Sequence, residues 1–332
     1  MKNIIILFMA LLLAGCAKKE PANYEIATWY GFKQAAISYT FDDQTPKQFT
    51  VAIPMLDEFG FKATLYPVVN WGRWDEIKQA AANGHEIGSH TVSHPRLSTL
   101  SIADQEMELR DSKAFINEQL SSLRIDCNTI AYPYCDASDL AITAKYYIAA
   151  RNCATQIAPS TPEDYYNIPA ILCGDQGNTQ SLEDFRQWFN SAADTNGWCI
   201  LLFHGIDDDG GYSPVTSEVF RQSLEYLDNK RETYWVTTFR NAVLYAKERD
   251  AVSVVEKQCT KSEITIAVTN TLDNTVYNLP LTIRRSLPAG WKKVEVKQND
   301  QVISSDIVTI DQSKYIVFDA IPNRGMVFIK RQ

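Results

Sequence analysis

Between residues 35 and 250, short apolar runs rich in β-branched and aromatic residues alternate with stretches whose apolar positions recur every three or four residues. The runs at 36–41, 63–68, 86–89, 129–132, 146–150, 167–171, 199–203 and 234–236 predict strands. Segments 46–59, 74–82, 102–120, 182–193, 217–228 and 240–248 predict helices, and Ser181 and Thr216 stand where N-caps belong. This alternation implies βαβ units and a mostly parallel sheet; seven or eight repeats fit a (β/α) barrel better than an open sheet. After Asp250 the pattern changes. Short β-rich segments at 264–269, 277–283, 293–296, 308–310, 315–318 and 326–329 are separated by turn residues, which predicts a small all-β sandwich over 251–332.

The chain has 332 residues, 40 acidic against 32 basic, and a formal charge of -8. That balance argues against a nucleic-acid partner, which would call for a basic patch. Lys2 is followed by an apolar run over residues 4–13, too short to span a bilayer and similar to the core of an export signal. A plain membrane anchor or a core helix is the other reading of that run. It ends in Leu13-Ala14-Gly15-Cys16, which resembles the bacterial lipoprotein signal box. The resemblance implies a signal peptide over 1–15, lipid on Cys16, a linker over 16–29, a membrane contact through that anchor and a cell-envelope location. Six further cysteines (Cys127, Cys135, Cys153, Cys173, Cys199 and Cys259) permit disulfides in an exported protein, but spacing does not reveal the pairing.

Candidate chemistry is concentrated in three places. His90 and His94 are spaced so that both imidazoles share one face if the turn between them is helical, as a metal clamp needs. Asp42 and Asp43 end the first apolar run; adjacent carboxylates repel, and a cation bound by one would leave the other free as a base. Asp43 could instead cap the following helix. His204 closes the run at 199–203. In a barrel, all of these follow the C-terminal ends of strands, the rim where such folds place their chemistry. His85 lies at the opposite end of its strand and reads as structural.

Thr40-Phe41-Asp42-Asp43, His90-Thr91-Val92-Ser93-His94 and Leu202-Phe203-His204 occur in an order and at separations that resemble the polysaccharide deacetylases, the NodB-homology domain of carbohydrate esterase family four. The resemblance covers residues 30–250 and implies a distorted (β/α) barrel. It also implies a divalent metal, zinc-like, on Asp43, His90 and His94, with Asp42 as general base and His204 as general acid. The backbone N–H of Tyr134 would help to form an oxyanion hole, and the substrate would be an acetylated glycan.

Two features depart from the family pattern. The family's Arg-x-Pro-x-Gly motif is replaced by Ala131-Tyr132-Pro133-Tyr134-Cys135, so the arginine that steadies the base is missing. Arg151, ending the next predicted strand, could reach Asp42 from the neighbouring rim position. The fourth motif, with its acid and tryptophan, has only Asp175 and Trp188 as candidates. Trp71, Trp74, Tyr132, Tyr134 and Tyr212 lie in predicted rim loops and could stack on sugars. Cys135, beside the presumed metal, is open to oxidation or is a buried thiol filling space.

The reading that follows is metal-dependent hydrolysis of N-acetyl or O-acetyl groups on an extracytoplasmic glycan. The alternative is a catalytically silent glycan-binding lipoprotein, favoured by the two departures and opposed by the presence of both Asp42 and His204.

Overall fold

The computed structural model describes residues 24–332. The signal-like segment 1–15 and Cys16 lie outside the described residues. Strands Ala35–Asp42, Thr64–Tyr66, Glu86–Ile87, Thr129–Ala131, Ala149–Arg151, Ile171–Leu172 and Trp198–Phe203 run parallel. Two seams are closed by single bridges, Ser89 to Ile130 and Arg151 to Ile168, so the pairing passes around a full ring. Strand Tyr234–Val236 stays outside the ring and pairs with the start of the first strand.

Every residue of Ala35–Asp42 is buried, as expected for a strand with neighbours on both sides and covered faces. Its alternation divides those faces. Tyr39 and Phe41 pack outward on Phe220 of helix Ser217–Asp228. Their smaller neighbours, Ala36, Ser38 and Thr40, point the other way, and Asp42 ends that row. Trp198 packs against Phe239 below it, in one core with helix Phe239–Ala251 and the β-rich C-terminal region.

That region contains two antiparallel sheets. One comprises Tyr24–Ile26, Leu281–Ser286, Ser313–Ala320 and Ser305–Ile310; the other comprises Ser253–Cys259, Glu263–Thr269, Val327–Arg331, Val294–Gln298 and Gln301–Val302. The stretch expected as a linker over 16–29 is therefore partly strand: Tyr24–Ile26 pairs with Leu281–Ser286, and Trp29 is fully buried. The strand expected at 277–283 begins only at Leu281, because Pro280 cannot donate to a ladder.

Three local expectations also change. The helix at 46–59 is split into a π-helical turn, Gln48–Ala52, and an α-helix, Ile53–Glu58; Pro54 lacks the N–H that would continue one regular ladder. Residues 140–146 form a helix, Leu140–Tyr146, capped by the Asp139 side chain, and the strand follows at Ala149–Arg151. The segment from His90 to His94 is not helical: Thr91 and His94 take φ of 70° and 60°, and Pro95 disfavours helical backbone at His94.

Candidate metal and catalytic site

The C-terminal strand ends open into a cavity of about 510 Å³ whose lining includes Asp42, Asp43, His90, His94, Tyr132, Tyr134, Leu172, Leu202 and His204. Consecutive strand residues point to opposite faces, so Asp42 and Asp43 could not both face it on a continued strand. The strand ends at Asp42, and Asp43 takes a left-handed backbone, φ 72°, which turns its carboxylate back to the same side. Gln48, fully buried, holds this corner by donating to the carbonyls of both Asp42 and His204.

One ligand atom from each of Asp43, His90 and His94 can be chosen so that all lie within 4.8 Å of one another. Asp43 Oδ1 is 3.6 Å from Nε2 of each histidine and is buried without a hydrogen-bond partner. His90 Nδ1 is bonded to the Ala131 carbonyl at 2.8 Å, which fixes the ring with Nε2 toward the site. An orphaned carboxylate oxygen facing two imidazole nitrogens is a donor set that a zinc-like divalent cation fits.

The turn carrying these histidines is held from outside the recognised motifs. Glu108, buried on helix Ile102–Leu120, accepts from the Val92 N–H at 2.8 Å, the Ser93 N–H at 3.0 Å and the Ser93 hydroxyl at 2.6 Å. The Thr91 hydroxyl accepts from the His94 N–H. Together these bonds stabilise two non-glycine residues in a costly left-handed conformation.

Arg151 donates through Nη2 to both carboxylate oxygens of Asp42, at 2.6 Å to Oδ1. The route is plain in the register: Ala131 and Arg151 are direct partners on adjacent parallel strands. The short side chain at 131 leaves the space that the guanidinium enters from next door. Its plane lies over the Tyr66 ring at 5.3 Å, and Tyr66 fits only because position 88 is glycine, where a Cβ would come within 2.3 Å of that ring.

The two aspartates are electrostatically unlike. Burial alone would raise the Asp42 carboxyl, but Arg151, supported by His90 and His204, holds it below the ordinary carboxylate value. Asp43 is pushed up to about 7, by burial first and then by the charge of Asp42. Burial lowers His90 to about 4 and also lowers His94 and His204. The imidazoles are therefore neutral at pH 7, ready to ligate, and their contacts with the aspartates are not ion pairs. His204 Nε2 faces Asp43 Oδ2 at 4.0 Å, while its buried Nδ1 has no partner among the described residues.

The rim aromatics separate into two groups. Trp71, Tyr134 and Tyr212 are about half exposed; the first two rings lie 5.1 and 4.6 Å from His94, and Tyr212 sits edge-on to His204 at 5.2 Å. Tyr132, expected to contact substrate, lines the cavity as a buried wall whose hydroxyl is committed to Thr143 and the Tyr166 carbonyl. Trp74 points away and packs on Phe115. Neither fourth-motif candidate lines the cavity, and the Trp188 indole donates to Thr179. Cys135 is neither free nor space-filling. It forms a disulfide with Cys153, since both cysteines follow the register-paired strands of Ala131 and Arg151 with a Cα separation of 5.7 Å. Sequence reasoning missed Gln48 and Glu108, which carry no spacing signal, and Arg96, which lines the mouth with its guanidinium 4.6 Å from the Tyr134 ring.

Residues 31–150 match the sequence model of the family described as polysaccharide deacetylase. A gellan lyase from a Bacillus species is 28% identical over 338 residues, covering 94% of this chain and 13% of that protein. The putative polysaccharide deacetylase YxkH of Bacillus subtilis (strain 168) is 27% identical over 106 residues, covering 30% of this chain and 37% of that one. The chain thus spans well under half the length of either relative. The crystal structure of a putative polysaccharide deacetylase from Mycobacterium smegmatis shares the fold, with a TM-score of 0.53 at 14% identity, covering 71% of this chain and 98% of that one. Over residues 31–150, the chain carries the sequence pattern of the polysaccharide deacetylase family.

Proposed function

We propose that the protein is a metal-dependent carbohydrate deacetylase that hydrolyses N-acetyl or O-acetyl groups on a polysaccharide or oligosaccharide. The observation that carries this reading is the division between the two aspartates. Asp42 is ionised and paired with Arg151, whereas Asp43 has an unpartnered oxygen facing His90 and His94.

Asp43, His90 and His94 would hold a divalent ion, zinc by the nature of the donors. When bound, that ion supplies Lewis acidity toward the acetyl carbonyl and makes water more acidic. Asp42 accepts the proton of the water that attacks the acetyl carbon. The Tyr134 N–H, on a left-handed turn at the cavity mouth, donates to the carbonyl oxygen as negative charge develops there. When the C–N or C–O bond breaks, His204 gives a proton to the departing nitrogen or oxygen, leaving acetate and a free amine or alcohol. Its burial makes it a ready donor once charged. Trp71, Tyr134 and Tyr212 offer aromatic faces to the sugars flanking the acetyl group.

Location at the cell envelope through lipid on Cys16 belongs to the same reading and rests on the N-terminal sequence. Metabolic labelling with a fatty acid, compared with Cys16→Ala, tests it.

The unpartnered Nδ1 of His204 favours a second reading, glycan binding without turnover, because nothing in the described residues fixes the tautomer an acid needs. One assay separates the two: acetate release from a panel of acetylated glycans after chelation, with and without added zinc. Zinc-dependent release is expected. Binding of those glycans with no release at any metal level would overturn the enzymatic reading.

A further inference from the structure

Three side chains with formal charge line the cavity: Asp42, Asp43 and Arg96. Asp42 is matched by Arg151, and Asp43 faces the imidazoles. Arg96 is exposed and, among the described residues, has no carboxylate within ion-pair distance. Its position is not that of a freely swinging surface arginine, because the guanidinium lies 4.6 Å from the Tyr134 ring. The other neighbour of that ring is His94, at 4.6 Å. The guanidinium is therefore no more than two such separations from the His94 ring, within reach of sugars that flank an acetyl group bound at this cluster.

We infer that Arg96 is a carboxylate-binding residue, and that the acetylated glycan this site prefers bears uronate groups. The inference rests on the deacetylase reading and narrows its substrate class. A planar guanidinium binds a carboxylate through two parallel hydrogen bonds, and the aromatic face beneath it holds the fork in place at little entropic cost. Tyr134 then serves two neighbours, with its ring under Arg96 and its N–H at the reacting carbonyl. Once a divalent ion occupies Asp43, His90 and His94, positive charge exceeds negative at the mouth, and an anionic sugar is the complementary ligand. The overall charge of -8 opposes such a substrate at long range. Physiological salt screens exposed charges beyond about 8 Å, so the local cation decides.

The test uses an acetylated uronate-containing oligosaccharide and its carboxyl-reduced counterpart, which differ only in the acid group. With zinc-loaded protein, kcat/KM for acetate release should favour the acid by about tenfold, mainly through KM, the size of one charge-assisted pair in a partly solvated cleft. The preference should shrink as salt rises. Arg96→Gln should lose the discrimination ratio, and Arg96→Lys should recover part of it. A guanidinium that only covers Tyr134 would leave the ratio untouched. Equal rates on both substrates for the unmodified protein, or a ratio preserved in Arg96→Gln, would overturn the inference. Calorimetric titration with the deacetylated pair reads the same preference as a difference in Kd. If no acetate is released from anything, the deacetylase reading fails while the carboxylate site is still decided.

Discussion

The short strand Glu86–Ile87 has a histidine near each end, and both are buried to the same degree, 2% exposed. At the lower end, His85 accepts the Ala63 N–H on Nδ1 and meets Asp57 through Nε2, so both ring nitrogens are used. At the upper end, His90 uses Nδ1 on the Ala131 carbonyl and leaves Nε2 facing Asp43. The acids differ in the same way. Glu86 accepts from Thr64, Thr129 and the Arg240 N–H, whereas Asp43 has a buried oxygen with no partner. Burial and residue type do not distinguish the two ends. Hydrogen-bond saturation of the histidine and its neighbouring acid does, because a buried carboxylate oxygen left unsatisfied opposite free imidazole nitrogens is costly unless a ligand supplies the missing contact.

Removing one histidine from each end should have sharply different effects. His90→Ala or His94→Ala should abolish stoichiometric zinc binding and turnover, since each takes one of the three proposed ligands. His85→Ala should bind zinc as the unmodified protein does and lose about 1–3 kcal/mol in urea unfolding, the usual penalty for stranding buried partners. Zinc binding lost equally in both would mean that the lower histidine is no mere strut.

A smaller effect is expected at Glu108, which touches neither the ligand nitrogens nor Asp43. Glu108→Leu removes the acceptors of all three bonds from Val92 and Ser93. Zinc affinity, read by competition with a chelating dye, should fall about 10–100-fold, as for other residues that orient ligands. An unchanged affinity would show that the left-handed turn holds its geometry alone.

The subtlest change concerns pH. Arg151 keeps the Asp42 carboxyl low despite its burial, so Asp42 remains a base well into the acid range. Arg151→Met removes that cation and lets burial dominate, raising the carboxyl. The acidic limb of the kcat/KM profile should then move to higher pH, with loss at low pH exceeding loss at high pH and with zinc retained. Arg151→Lys should return the limb part of the way. A limb that does not move would separate the Arg151–Asp42 contact from catalysis.

The strand pattern made the rim residues legible because they follow conspicuous apolar runs: Asp42 and Asp43 after 36–41, and His204 after 199–203. Arg151 was legible for a topological reason, since consecutive parallel strands lie side by side and a gap at 131 is open to residue 151. The His90–His94 pair was recognised by a helical spacing that the fold does not use. A left-handed turn before Pro95 brings the rings together instead. Glu108 was invisible because it is one of several acids along helix Ile102–Leu120, and only packing shows which of them turns inward. The Cys135–Cys153 bond needed the register of two strands, which no cysteine count contains. In the C-terminal region, Ser253–Cys259 was missed as a strand because it carries Glu256, Lys257 and Gln258 on an edge, where the apolar signal is weakest.

On the proposed reading the adjacent carboxylates have separate tasks, Asp43 holding the ion and Asp42 handling the proton. Calorimetric titration of zinc into the chelator-treated Asp42→Asn and Asp43→Asn proteins, side by side, tests it most directly. One tight ion per chain is expected for Asp42→Asn, close to the unmodified affinity, and no stoichiometric binding for Asp43→Asn. Burial and the Asp42 charge push the metal-free Asp43 carboxyl up to about 7, so binding to the unmodified protein should weaken as pH falls below that value, where a proton competes for the site, and the weakening should begin at lower pH in Asp42→Asn, which lacks that charge. Tight binding retained in Asp43→Asn and lost in Asp42→Asn would contradict the assignment.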